Sequence, residues 1–290
     1  MKKTNHIVNL VIVSILSFLL SGCYEDETLN VPITENPDPV DELDVYIEEN
    51  FTKKYNMAIR YRFVDRYISP DERVTPPRLE SVRPMLDFIE KFWIEPYLEV
   101  ENGEEFFVDH VPPEIVLLGG LIFNVDGTVV LGTADAGAQI TLTNVNAIDP
   151  DDEEWVELQL QTVYHEFAHT VHQRYKLPNA FETIAPTGYT SAGSWFNLTD
   201  NEALQRGFVS PYSTSSPNED FAETVAFFLF NQDFQEAFLA DEPDCTTVEC
   251  DARNEGRERL RQKVSSINEH YKRVTGIDLE DLRAAIQAKL

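Results

Sequence analysis

Residues 164–170 read Tyr-His-Glu-Phe-Ala-His-Thr, an H-E-x-x-H pattern, and no other stretch limits the possible folds of this chain so strongly. His165 and His169 are four residues apart, so on a helix both rings leave one face and can reach a single zinc ion. Glu166, one step round the helix, stands where a carboxylate poises a water molecule rather than binding the metal. The fold must present this face to an open site, and the chemistry implied is metal-assisted hydrolysis. Read as ordinary polar residues on a half-buried helix, the two histidines would leave Glu166 without a role.

The third ligand separates the classes of zinc hydrolase. A longer motif, H-E-x-x-H-x-x-G-x-x-H, is excluded because His172 stands at its glycine and Tyr175 at its last histidine. His172 reads as a residue one turn past His169. The remaining route is a carboxylate from a later helix, which gives two histidines, one glutamate and an open position. Glu219 and Glu223 begin such a helix and share a face, so one can bind zinc while the other holds a liganding histidine by its second ring nitrogen. Ser216-Pro217-Asn218-Glu219 also reads as a capping box, which would use Glu219 to close the helix start instead.

The chain begins with Lys2 and Lys3, continues with an apolar run over residues 7–20, and reaches Leu20-Ser21-Gly22-Cys23. This is the layout of a secretory signal, too short for a membrane span, and its end resembles the lipobox of bacterial lipoproteins, in which the cysteine is acylated. Residues 1–22 are therefore expected to be a signal peptide, and residues 23–40 a lipidated, flexible, proline-bearing tether. Tyr24-Glu25-Asp26-Glu27 resembles the acidic signal that sends some lipoproteins to the outer face of the outer membrane. A net charge of −28 argues against nucleic acid as a partner. Cys245 and Cys250 suit a disulfide in an oxidising compartment; as a zinc pair they lack a second cysteine pair or adjacent histidine.

Along the chain, the sequence predicts a short helix over 40–51, a strand over 57–64, and a helix over 78–100 from Leu79, Val82, Met85, Leu86, Ile89, Phe92 and Trp93. Strands are predicted at 106–108, 115–118, 127–131 and 139–143, with a turn at 124–127. The last strand should enter the motif helix through the acidic loop 149–152, and that helix should run from 153 or 154 to 175. Residues 178–217 read as a long loop lining a cleft. Helices are expected over 217–234 and around Leu260, Val264, Ile267, Tyr271 and Val274, with Gly276 as a stop and Asp278 capping a last helix.

His165-Glu166-Phe167-Ala168-His169, Tyr212 and Asn218-Glu219-Asp220-Phe221-Ala222-Glu223 together resemble the gluzincin arrangement of anthrax lethal-factor-like metallopeptidases. With the lipobox, the chain more closely resembles the zinc metallohydrolase lipoproteins associated with TonB-dependent substrate import in Gram-negative bacteria. The motifs span about residues 160–230. The resemblance implies His165, His169 and Glu219 as zinc ligands, Glu166 as general base and Tyr212 as donor to the developing oxyanion. It implies a zincin-like fold, and with the strand and helix patterns read along the chain the expectation is α+β: a small mixed sheet in the first half (41–150) and a mainly helical second half (151–290) carrying the H-E-x-x-H helix and the glutamate helix. The expected function is zinc-dependent peptide-bond hydrolysis at the bacterial surface, on peptide or protein substrates aligned by the strand at 139–145. The membrane contact is an N-terminal lipid anchor at Cys23, and an outer-membrane importer is the expected partner. A non-catalytic, zinc-stabilised surface lipoprotein that captures substrate for that importer is the alternative, and a non-peptide bond as target also stays open.

Overall fold

The computed structural model describes residues 41–62, 72–123, 129–130, 132–135, 138–190 and 193–290, and the architecture is mixed α+β. The expected signal segment, Cys23 and the tether lie outside the described residues, as do the turn at 124–127 and the end of the strand expected over 57–64. Asp41 and Asp44 form a reciprocal capping box that opens helix α1, built of successive turns Glu42–Ile47, Glu48–Thr52 and Lys53–Tyr55. Strand β1 follows at Ala58–Arg60. The predicted amphipathic helix is α2, continuous through Leu79–Ile89, Glu90–Ile94 and Glu95–Leu98; its Val82, Met85, Leu86, Ile89, Phe92 and Trp93 are buried.

The β-type run at Phe106-Phe107-Val108 is helical instead, inside α3 (Gly103–His110). Two features override its strand propensity. Glu104 and Glu105 occupy the first turn, where carboxylates favour a helix start, and tertiary packing buries Phe106 and Phe107 while Val108 faces solvent. Gly103 makes the tight entry possible: a Cβ there would lie 1.8 Å from the Tyr97 carbonyl oxygen, so α3 can turn directly off the end of α2.

Strands β2 (Glu114–Leu117), β3 (Ile122–Phe123), β4 (Val129–Val130), β5 (Gly132–Asp135) and β6 (Gln139–Leu142) complete the β structure. The main sheet has the order β1-β2-β6-β5; β1, β2 and β6 are parallel, and β5 is antiparallel to β6. In register, Ile59 faces Ile115, Ile115 faces Ile140 and Leu117 faces Leu142, a buried aliphatic row. The pair β3–β4 stands apart as an antiparallel ribbon.

Asp152 caps the motif helix α4, Glu153–Tyr175, by accepting from the amides of Glu154 and Trp155. Trp155 Nε1 donates to the Asn144 carbonyl at 3.1 Å and Gln159 Nε2 to the Thr143 carbonyl at 3.0 Å, so the start of α4 is fastened to the chain just past β6. Its far side is anchored by Phe167, whose ring meets Trp93, Tyr97, Phe106 and Phe107 at 5.4–5.7 Å, and by Tyr164, which donates to the Phe92 carbonyl. The aromatic residues inside the motif thus point into the core, leaving the histidine face for the site.

The predicted loop over 178–217 contains more order than its composition suggests. It includes turns Phe181–Thr183, Trp195–Asn197 and Tyr212–Ser215 and a helix α5, Asp200–Arg206. A Thr199–Glu202 capping box, overlooked among the many Ser and Thr residues, starts α5. Helix α6 is Pro217–Phe230, shorter than the expected 217–234, and a wider turn at Gln235–Leu239 follows. Helix α7, Val248–Thr275, ends where Gly276 adopts φ 76°, and Asp278 caps α8, Leu279–Gln287. Among the described residues no helix is long and apolar enough to cross a membrane.

Candidate metal centre

Helices α4 and α6 pack side by side and bring three donor atoms together. His165 Nε2 and His169 Nε2 are 3.0 Å apart, and Glu219 Oε2 lies 3.1 Å from the first and 3.3 Å from the second. Ligands held about 2.1 Å from a tetrahedral zinc are separated by roughly 3.4 Å, so the triangle has the size of one face of such a site. Two imidazoles and a carboxylate are also the donor chemistry that zinc accepts. Glu166 is adjacent: one oxygen of its carboxylate falls with ring nitrogens of His165 and His169 inside a 4.8 Å cluster. That looser set suits a base beside the metal, and the tighter set with Glu219 suits coordination.

The competing capping-box role of Glu219 is only half formed. Ser216 Oγ accepts from the Glu219 amide at 3.3 Å, as a cap does, but the Glu219 carboxylate is turned onto the histidines. Pro217 at the first turn and Ser216 set where the helix begins, which leaves the Glu219 side chain free for the site.

Around the triangle, Glu223 Oε1 lies 2.9 Å from His165 Nδ1, off the line of an ideal N–H bond. Its carboxylate is itself fixed, accepting from Ser210 Oγ at 2.6 Å and Gln161 Nε2 at 3.3 Å. Burial opposes the charged His165 ring, yet Glu219 and Glu223 on either side push its pKa up to about 10. Burial also disfavours the Glu219 carboxylate, but hydrogen bonds with His165 and His169 hold it well below the usual range. The pocket is built to hold positive charge. Glu166 is different: burial raises its pKa, against the pull of His165 and His169, which is the environment of a proton acceptor rather than of an ion-paired carboxylate.

His172, passed over in the sequence, has a position in this network. Its Nε2 lies 2.6 Å from His169 Nδ1. Burial, then the neighbouring His169, lower its pKa to about 4, so His172 is neutral and able to accept a proton from His169 Nδ1, the tautomer in which His169 Nε2 carries a lone pair toward Glu219. The i, i+3 spacing from His169 carried that signal; so did Gln161, four residues before His165. Ser210 had none, because the loop fold alone brings it to Glu223. Exchange of His172 for phenylalanine, which keeps the ring but removes the acceptor, is expected to weaken zinc affinity about 10- to 100-fold, measured by competition with a chelating dye.

Tyr212 stands on the turn before α6. Its ring centroid is 5.9 Å from that of His165, which brings the phenol beside the Glu219 charge. Burial and the Glu219 charge raise its pKa, so the phenol stays protonated and able to donate. Cys245 and Cys250 are joined in a disulfide at the start of α7, so neither sulfur is a free thiolate donor.

A family model described as "Putative zinc-binding metallo-peptidase" matches residues 37–280. The crystal structure of a protein given that same description, from Bacteroides caccae ATCC 43185, is similar with a TM-score of 0.68 and 28% identity, covering 85% of this chain and 90% of that one. No curated protein matches the chain.

Proposed function

The chain belongs to the putative zinc-binding metallo-peptidase family, and from that premise we propose that it is a zinc-dependent hydrolase that cleaves peptide bonds. The observation that carries this reading is the convergence of His165 Nε2, His169 Nε2 and Glu219 Oε2 within 3.0–3.3 Å, with Glu166 alongside. Zinc held by those three residues would supply Lewis acidity, acidifying a water molecule and polarising the scissile carbonyl. Glu166 takes the proton of the attacking water and passes it to the leaving amine. Tyr212, kept protonated, donates to the oxygen on which negative charge develops. Glu223 and His172 hold the two imidazoles in the orientation and tautomer that leave Nε2 facing inward.

Alignment of the peptide cannot fall to the strand at 139–145, as first expected, because β6 is hydrogen-bonded on both sides, to β2 and to β5. Among the described strands the edge next to it belongs to β5, which we assign to substrate pairing.

Zinc analysis combined with chelator-sensitive cleavage of a mixed peptide library tests the proposal. Bound zinc without turnover of any peptide would return the reading to a zinc-stabilised substrate-capture protein. Glu219→Gln retains a side chain able to complete a capping box but is a poor anionic ligand, so zinc affinity is expected to drop at least 10-fold. Unchanged affinity would assign Glu219 to the cap.

We further propose, from the sequence of residues 1–40 alone, that residues 1–22 direct export, that Cys23 carries the lipid, and that the protein faces the exterior of a Gram-negative outer membrane near a TonB-dependent importer. Labelled palmitate should enter the wild-type chain and not Cys23→Ser. Labelling that persists in the variant would remove the anchor from the proposal.

A further inference from the structure

We propose that Trp195 and Phe196 form an aromatic ledge that receives an apolar side chain of the peptide substrate next to the bond being cleaved. This deepens the peptidase reading and rests on it. The Trp195 ring meets the Tyr212 ring edge-on at 5.1 Å, and Tyr212 is 5.9 Å from His165, so the ledge begins one ring away from the histidine pair. Phe196 extends it outward, edge-on to Trp195 at 5.9 Å.

Exposure distinguishes these rings from the packing aromatics. Phe196 is 63% exposed and Tyr212 38%; among the described residues, Phe123 is the one other aromatic counted with the exposed large hydrophobics. Two of those three therefore lie here, Phe196 on the ledge and Tyr212 between the ledge and His165. Leaving a phenyl ring in water forgoes the free energy of burying it. A substrate side chain recovers it.

The ledge also has firm backing. Residues 195–197 form a closed turn in which the Leu198 amide donates to the Trp195 carbonyl, and the Thr199–Glu202 box then starts α5. Immediately past α5, Gly207 accepts a hydrogen bond from the buried Lys263 at 2.6 Å. The rings offer edge-to-face and stacking contacts to aromatic or aliphatic groups. They offer no partner to a carboxylate, which would lose hydration without compensation.

The zinc-loaded, full-length Glu166→Gln protein, unable to turn substrate over, is the reagent for the test. Its affinity is measured for three pentapeptides: all-alanine, and alanine with one central Phe or one central Asp. Trp93 and Trp155 are buried and Trp195 is half-buried, so acrylamide quenching of tryptophan fluorescence reads Trp195 preferentially. The Phe peptide is expected to bind about 5- to 10-fold tighter than the other two and to shield Trp195. Adding Phe196→Ala should erase that preference with the circular dichroism spectrum unchanged.

Equal affinities, a preference that survives Phe196→Ala, or shielding by maltopentaose in place of the Phe peptide would each overturn the ledge. The two levels separate cleanly. Peptide cleavage by wild type with no Phe preference keeps the peptidase and removes the ledge; a Phe preference in binding without cleavage by wild type keeps the ledge and removes the peptidase.

Discussion

Replacing Glu166 by glutamine is expected to lower kcat by about 10²- to 10⁴-fold while zinc content stays near that of the wild type. Glutamine matches glutamate in shape and keeps the helix, but it cannot accept the water proton. The anchors of α4 are elsewhere, in Phe167, Tyr164, Trp155 and Gln159, so the histidine face should not move. The donor triangle of His165, His169 and Glu219 does not include the Glu166 carboxylate. Steady-state kinetics with parallel metal analysis separates the outcomes. Loss of both zinc and activity would mean that Glu166 serves as a ligand, and retained activity would remove it as the base.

The largest expected loss of stability comes from Lys263. Its ammonium is fully buried and makes 2.8 Å contacts with both carboxylate oxygens of Asp220, also fully buried, and a 2.6 Å bond to the Gly207 carbonyl. The Phe208 ring faces it at 3.6 Å. Asp220 in turn accepts from Tyr189 at 2.8 Å and Thr224 at 3.4 Å. Burial drives the two pKa values toward each other, up for Asp220 and down for Lys263, and the mutual attraction resists this.

Lys263→Met leaves Asp220 as an uncompensated buried charge and should cost about 3–5 kcal/mol in urea-induced unfolding. Because Asp220 adjoins Glu219, zinc affinity should fall as well. The double variant Lys263→Met with Asp220→Leu removes the orphan charge, so its loss should be well below the sum of the two single losses. Tyr189, Thr224 and Gly207 lose these partners, so a residual cost of about 1–3 kcal/mol is expected. Additive losses would mean that the pair is uncoupled.

The site was unevenly legible in the sequence. His165, Glu166 and His169 stand out because the helical repeat is local: four residues make one turn wherever the helix lies. The start and end of α4 were equally readable, since Asp152 and the acidic first turn act within a few residues of themselves. Residues 106–108 misled because β propensity reports how a side chain packs, and their neighbours in space, Trp93, Tyr97 and Phe167, are distant in sequence. The same limit hid Ser210 behind Glu223, whereas α5 carried a local signal, the Thr199–Glu202 box, inside a loop-like composition.

By itself, the sequence determined the helix that carries two histidines and a glutamate on adjoining positions, together with the caps and stops that bound the helices around it. Those are consequences of backbone geometry over one or two turns. Only the tertiary structure turned the Glu219 carboxylate toward the two histidines, brought His172 and Glu223 against an imidazole each, and placed β6 in the interior of the sheet. The physical reason is that a side chain four residues from its partner has its neighbour set by the helix, whereas one fifty residues away has it set by how two helices pack.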